Sequence, residues 1–155
     1  MKRRLIIYIS SMMFFLTSCN RVYREYDKES FPSYLWQRGQ EIKFNPTIKD
    51  VSKTYELVLG LRHVYGLKMR TLAINVQQIS PSGKESNKEY QLTLIDERGE
   101  YTSSCGGDLC DIEVTVERDI KFDEAGEYTF IVTHNMPLDR IPGIMEVGLI
   151  INTVE

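Results

Sequence analysis

From Glu41 onward, apolar residues fall on every second position in short runs. Ile42 and Phe44 alternate with Glu41 and Lys43, and Tyr55, Leu57, Leu59 and Leu61 alternate with Glu56, Val58, Gly60 and Arg62. The same period returns at Leu72, Ile74 and Val76, at Tyr90, Leu92 and Leu94, and at Ile112, Val114 and Val116. It returns again at Tyr128, Phe130 and Val132, and at Met145, Val147, Leu149 and Ile151. An extended chain points successive side chains to opposite faces, so each run predicts a strand with one buried face. No stretch shows a convincing helical period. Turn-forming clusters separate several runs: Ser80-Pro81-Ser82-Gly83, Asp96-Glu97-Arg98-Gly99, Gly106-Gly107-Asp108 and Asp123-Glu124-Ala125-Gly126. The pattern predicts an all-β protein, an antiparallel β-sandwich of jelly-roll or immunoglobulin-like kind with about seven to eight strands. Asp123 to Tyr128 resembles the Asp-x-Gly-x-Tyr turn of immunoglobulin-type sandwiches, whose tyrosine hydroxyl returns to the backbone upstream. The spacing differs by one residue, and Phe130 stands where the disulfide cysteine would be, so the motif points to a sandwich without fixing its topology.

The first residues follow a different pattern. Lys2, Arg3 and Arg4 precede an uncharged run from Leu5 to Leu16, which suits the apolar core of a signal peptide and is too short to span a bilayer. Leu16-Thr17-Ser18-Cys19 then looks like a bacterial lipobox. Residues 1–18 are therefore expected to be a lipoprotein signal peptide cut before Cys19, whose thiol takes a diacylglycerol and whose freed amine takes a further chain of the palmitate kind. Two or more acyl chains anchor a protein stably where one does so marginally. Residues 19–38 are expected to form the lipidated cysteine and a tether, because Asn20 to Ser33 is rich in charge and tyrosine. Residues 39–155 are expected to form the sandwich domain, a length that suits a single core.

Charge narrows the function classes. The whole chain carries a formal net charge of −3, and loss of the three leader cations takes residues 19–155 to −6. A nucleic-acid partner, which asks for a basic patch, is not expected. Cys105 and Cys110 remain as an even pair outside the cytoplasm and are expected to form a disulfide across the Gly106-Gly107-Asp108 turn. His63 and His134 are the two histidines, and no Gly-x-Ser-x-Gly elbow accompanies them, so they read as surface or hydrogen-bonded residues and no catalytic residue is expected. Cys105, Cys110 and a distant histidine make a poor zinc set, so no metal or cofactor is expected. Asp108 and Asp111 could pair as glycosidase carboxylates but read as ordinary turn acids. Trp36 and Tyr65, with Tyr34, could form a sugar-stacking platform. They are the possible ligand-binding residues of a second reading, a glycan-binding β-sandwich lipoprotein.

Several stretches together resemble the gliding-motility lipoproteins of the GldH type from Bacteroidota. Arg21-Val22-Tyr23-Arg24-Glu25-Tyr26 is similar to that family's segment after the lipidated cysteine, and Trp36 with Ile42-Lys43-Phe44 to its opening strand. Leu61-Arg62-His63, Tyr65 and Leu72-Ala73-Ile74-Asn75-Val76 resemble its central hairpin. Gly126-Glu127-Tyr128-Thr129-Phe130 and Gly143-Ile144-Met145-Glu146-Val147-Gly148-Leu149 resemble its C-terminal end, the most specific piece. Arg62-His63 stands where the family more often has Arg-Asn, and the cysteine pair is not a general family feature. The resemblance implies a non-enzymatic, lipid-anchored envelope protein, in contact with other envelope proteins of the gliding motility and type 9 secretion machinery. Asn20 is not the aspartate of inner-membrane retention, and the expected location is the outer membrane, facing the periplasm. Arg62–Arg70 and His134–Pro142 read as the longest late loops, where a partner contact is expected.

Overall fold

The computed structural model describes residues 20–154; the expected leader, its cleavage point and Cys19 lie outside the described residues. The described chain is antiparallel β throughout. Its strands are β1 (Arg21–Asp27), β2 (Leu35–Gln37), β3 (Ile42–Phe44), β4 (Thr47–Ile48), β5 (Thr54–Val64), β6 (Thr71–Ile79) and β7 (Glu85–Thr93). They continue with β8 (Ser104–Gly106), β9 (Leu109–Ile120), β10 (Gly126–Glu127), β11 (Thr129–His134), β12 (Arg140–Pro142) and β13 (Ile144–Val154). A five-stranded sheet runs β1-β13-β5-β9-β8 and a four-stranded sheet runs β3-β11-β6-β7, with β10-β4 and β12-β2 as short pairs beside them.

The alternation seen in the sequence is what packs the two sheets together. In the larger sheet, Leu59 stands opposite Leu149 on one side and Val114 on the other, and Leu61 stands between Val147 and Ile112. In the smaller sheet, Phe130 and Val132 pair with Phe44 and Ile42, and Leu72 pairs with Leu92. These side chains close over one another as a single buried cluster, which also holds Tyr55, Phe122 and Tyr128. Tyr128 donates its hydroxyl to the Glu124 carbonyl at 3.0 Å, the return to the upstream backbone that its turn resembles.

All seven runs of alternation fall on strands, with Leu94 just past the end of β7 and Tyr128 just before β11, and the structure adds elements the pattern did not show. The main correction concerns the expected tether. Arg21–Asp27 is an edge strand paired with β13 from Arg21↔Asn152 to Asp27↔Val147. The next residues are also packed: Phe31 and Trp36 are buried at 1% and 0% exposure. The charge that suggested a tether lies on the outer face of the sheet. There Arg24 and Tyr26 both reach Glu113 of β9, while Tyr23 packs inward against the core.

One row explains how β1 is held. Tyr26, Gly148, Gly60 and Glu113 are successive register partners across β1, β13, β5 and β9. The two glycines leave a flat channel, the Tyr26 ring lies across it, and its hydroxyl donates to Glu113 Oε1 at 2.8 Å. A Cβ at Gly148 would stand 2.6 Å from the ring, and one at Gly60 would collide with the ring and hydroxyl.

Candidate functional site

At the end of the larger sheet where β5 runs into its following turn, several residues singled out above come together. The β8–β9 hairpin is closed by a disulfide between Cys105 and Cys110, which are direct register partners. Cys110 is buried and Cys105 is exposed. His63 is the register partner of Cys110 on β5 and is fully buried, not at the surface. Its Nε2 lies 3.1 Å from Ser103 Oγ and its Nδ1 lies 2.9 Å from the Val64 carbonyl. Both nitrogens are thereby satisfied, so the imidazole holds its surroundings and is not presented to a substrate.

From this buried ring a row of aromatics leads outward. The Tyr101 ring lies 5.7 Å from that of His63, and the Tyr65 ring 5.4 Å from that of Tyr101. Tyr65 is 60% exposed. Its amide donates to the Asp108 carbonyl at 2.8 Å, while Gly143 accepts from the Val64 amide and donates to the Tyr34 carbonyl. Gly143 has φ +86°, and a Cβ there would stand 2.7 Å from Val64. These bonds sew four separate segments into one apex that exposes Tyr34, Tyr65 and Leu109.

Trp36 takes no part in that surface. It is wholly buried, edge-on to Phe31 at 5.9 Å and to His134 at 5.5 Å. The stacking platform of Trp36, Tyr34 and Tyr65 is therefore corrected: the largest ring is core, as pairing of β2 with β12 requires, and two tyrosines remain exposed. His134, at the end of β11, is likewise buried rather than exposed. Burial pushes its imidazole pKa down, with Arg38 adding to the shift and the Gln37 and Trp36 carbonyls opposing it. The two expected partner loops are partly strand: Arg62–Val64 belongs to β5, His134 to β11 and Arg140–Pro142 to β12.

Asp111 is not paired with Asp108. Arg62 holds it through two bonds of 2.7 and 3.1 Å and reaches Glu146 at 3.0 Å, making a charge ladder across three strands. Among the described residues, no group of three His, Cys, Asp or Glu side chains could hold a metal ion.

A second feature lies on the flank. β8 covers only Leu109 to Asp111 of β9, so the rest of that strand is an edge, and β7 is the edge of the other sheet. Between them opens a cleft of about 330 Å³ floored by Leu57, Val76 and Phe130. Lys88 and Tyr90 of β7 both donate to the Glu117 carboxylate of β9 and latch the two sheets across it. Burial works against the Glu117 anion, but those two bonds together bring its pKa below the ordinary value. The sequence carried no sign of this latch, since its three residues lie on two strands that alternation treats separately.

The comparisons with known proteins bear on the whole chain. The family model for the GldH lipoprotein matches residues 21–151. A gliding motility lipoprotein GldH homolog from Christiangramia forsetii is 24% identical over 151 residues, covering 92% of this chain and 90% of that one. Among solved structures, TmCBM61 in complex with beta-1,4-galactotriose superposes with a TM-score of 0.31 at 12% identity, over 85% of this chain and 81% of that one. At that score the likeness carries no argument.

Proposed function

The chain belongs to the GldH lipoprotein family, and on that premise we propose that it is a non-catalytic envelope lipoprotein serving binding or assembly in the gliding motility and type 9 secretion apparatus. The family match over residues 21–151 carries this reading. Cys19 is its lipid attachment point, and the anchor sits in the outer membrane facing the periplasm. Its partners are other envelope proteins of the machinery. Confinement beside the membrane raises the effective concentration of a partner there, so a modest contact surface suffices. The apex is that surface: Tyr65 and Tyr34 supply large, half-exposed rings on a rigid base, the kind of residue enriched at interfaces. The bound states of His63 and Asp111 support a binding role over a catalytic one.

The test is genetic and chemical. In a gliding host, deletion of the gene abolishes spreading and lowers type 9 export, and Cys19→Ala leaves the chain uncut or releases it from the membrane fraction. A photo-crosslinker at Tyr65 captures an envelope protein of the machinery. Intact motility and export in the deletion strain overturn the reading.

A further inference from the structure

The strand order places the anchor in an unexpected position. β1 starts at Arg21, and the Asn20 carbonyl already accepts the Thr153 amide at 2.7 Å and the Thr153 hydroxyl at 3.2 Å. The chain is thus bonded into the sheet up to the residue after Cys19. Consecutive Cα atoms are about 3.8 Å apart. If Cys19 carries lipid, no free spacer lies between the acyl chains and the fold, and the end of the sheet at Arg21 comes within a Debye length, about 8–10 Å, of the headgroups.

That end has its own chemistry. Arg21 pairs with Asn152, Val154 with Thr54, and Tyr55 with Ile120, so the turn before β5 and the chain after β9 lie at the same end. Lys49, Lys53, Arg118 and Lys121 lie there with Arg21, and all five are exposed. Among the described residues none of the five is in an ion pair; Lys28, Lys68, Arg70 and Arg140 elsewhere are in none either, while Arg24, Arg38, Arg62, Lys43, Lys84, Lys88 and Arg98 all are. The acids among these cations in the described residues include Asp50, Glu56 and Asp119; Asp50 is occupied by the amide and hydroxyl of Ser52 at 3.0 and 2.6 Å, and Glu56, in the row Arg21–Asn152–Glu56, accepts from Asn152 Nδ2 at 3.0 Å. Across the mouth of the flank cleft, Asp123 is held by Lys84 and Glu124 by Ser82. Five of the nine cations that are in no ion pair among the described residues thus lie at the end where β1 begins, in a chain of net negative charge. Val51 stands in the turn between β4 and β5, 43% exposed, and Val22 of β1 is 38% exposed.

We propose that this base, with Arg21, Lys53, Arg118 and Lys121 around Val51, is a membrane-contact surface that seats on anionic headgroups and stands the sandwich upright. The proposal rests on lipidation at Cys19. Cations near an anionic leaflet are attracted individually, and an apolar tip among them enters the interface. Seated this way, β5 points away from the bilayer. Its 11 residues, at about 3.3 Å each, carry the Tyr65 apex roughly 35 Å from the headgroups.

The test uses the full, natively lipidated chain reconstituted in vesicles of phosphatidylethanolamine with about a quarter phosphatidylglycerol. Val51→Cys at the base and Lys68→Cys in the turn after β5 each take one environment-sensitive fluorophore. Vesicle flotation establishes the anchor before any spectrum is read. The Val51 label is expected to shift blue, to be quenched by bromolipid, and to be several-fold less open to acrylamide than the Lys68 label. The double charge reversal Lys53→Glu with Lys121→Glu is expected to return the Val51 label to the solvent while flotation is unchanged. If the chain floats and both labels are equally open to acrylamide, the membrane-contact surface is overturned and the anchor stands. If the chain does not float, the anchor is wrong and the contact surface falls with it.

Discussion

At the scale of single residues, the Tyr26 row is the clearest case of sequence dictating structure through absence. Gly60 and Gly148 have no side chain, and that alone lets an aromatic ring from the edge strand lie flat across two neighbours and reach a third. Gly148→Ala is expected to destabilise the fold by about 1–3 kcal/mol, the usual cost of forcing atoms into a packed site. In a double-mutant cycle measured by urea unfolding, Tyr26→Ala removes most of that penalty; additive costs would mean that the ring is not what the methyl group meets. The far end of the row also titrates. Arg24 holds the Glu113 carboxyl below its ordinary pKa, burial opposes this, and the Tyr26 hydroxyl adds to it. A lowered folded-state pKa means that the unfolded chain binds the proton first. The stabilisation is therefore complete above the ordinary value of 4.5 and is lost as pH falls through the lower, folded value. Thermal midpoints should fall on acidification below pH 4.5 less steeply in Glu113→Gln than in the unaltered chain. Equal slopes would remove Glu113 from the account.

At the scale of elements, the hairpin staple and the edge strand carry separate predictions. Closing so short a ring as Cys105–Cys110 is worth about 2 kcal/mol by chain entropy, so Cys105→Ser should lower unfolding free energy by about that amount and leave far-UV spectra unchanged. Deleting 21–27 is expected to do more. It uncovers the whole edge of β13, a strand with Ile150 and Ile151 nearly buried, and such an edge invites pairing with another chain. Size-exclusion chromatography should show higher oligomers; a well-behaved monomer would mean that β1 is dispensable. These two elements also mark what was legible in the sequence. Long strands with one buried face, β5, β6, β9, β11 and β13, announce themselves by alternation. β1 did not, because its outer face carries Arg24 and Tyr26, which are polar in composition yet packed in place. β2, β4, β10 and β12 are two or three residues long and, unlike the equally short β3, have no apolar–polar–apolar order. The site was less legible still. Cys105 and Cys110 could be read as neighbours across a turn, but Trp36 and Tyr65 could not be sorted into core and surface. That sorting depends on β2 meeting β12 and on Tyr101 arriving from a distant loop.

At the scale of the whole molecule, two sheets share one core but end differently. The end where β1 begins carries Arg21, Lys53, Arg118 and Lys121, the other exposes aromatics, and the flank is latched through Glu117. His134 links pH to the whole fold in the same direction as the carboxylates: its lowered folded-state pKa means stability is full above the ordinary 6.5 and declines as pH falls below it. If Cys19 carries the lipid, as proposed, an anchor at the start of β1 also decides how the molecule carries a load. A pull on the apex is resisted at Cys19, so tension runs along β1 and tries to slide it lengthwise past β13. The pairs from Arg21↔Asn152 to Asp27↔Val147 are then strained together, in shear, rather than peeled one after another as they would be from the Asp27 end. Tyr26, lying crosswise over two strands and bonded to a third, acts as a bolt against that slide. The lipoprotein is built to be tugged.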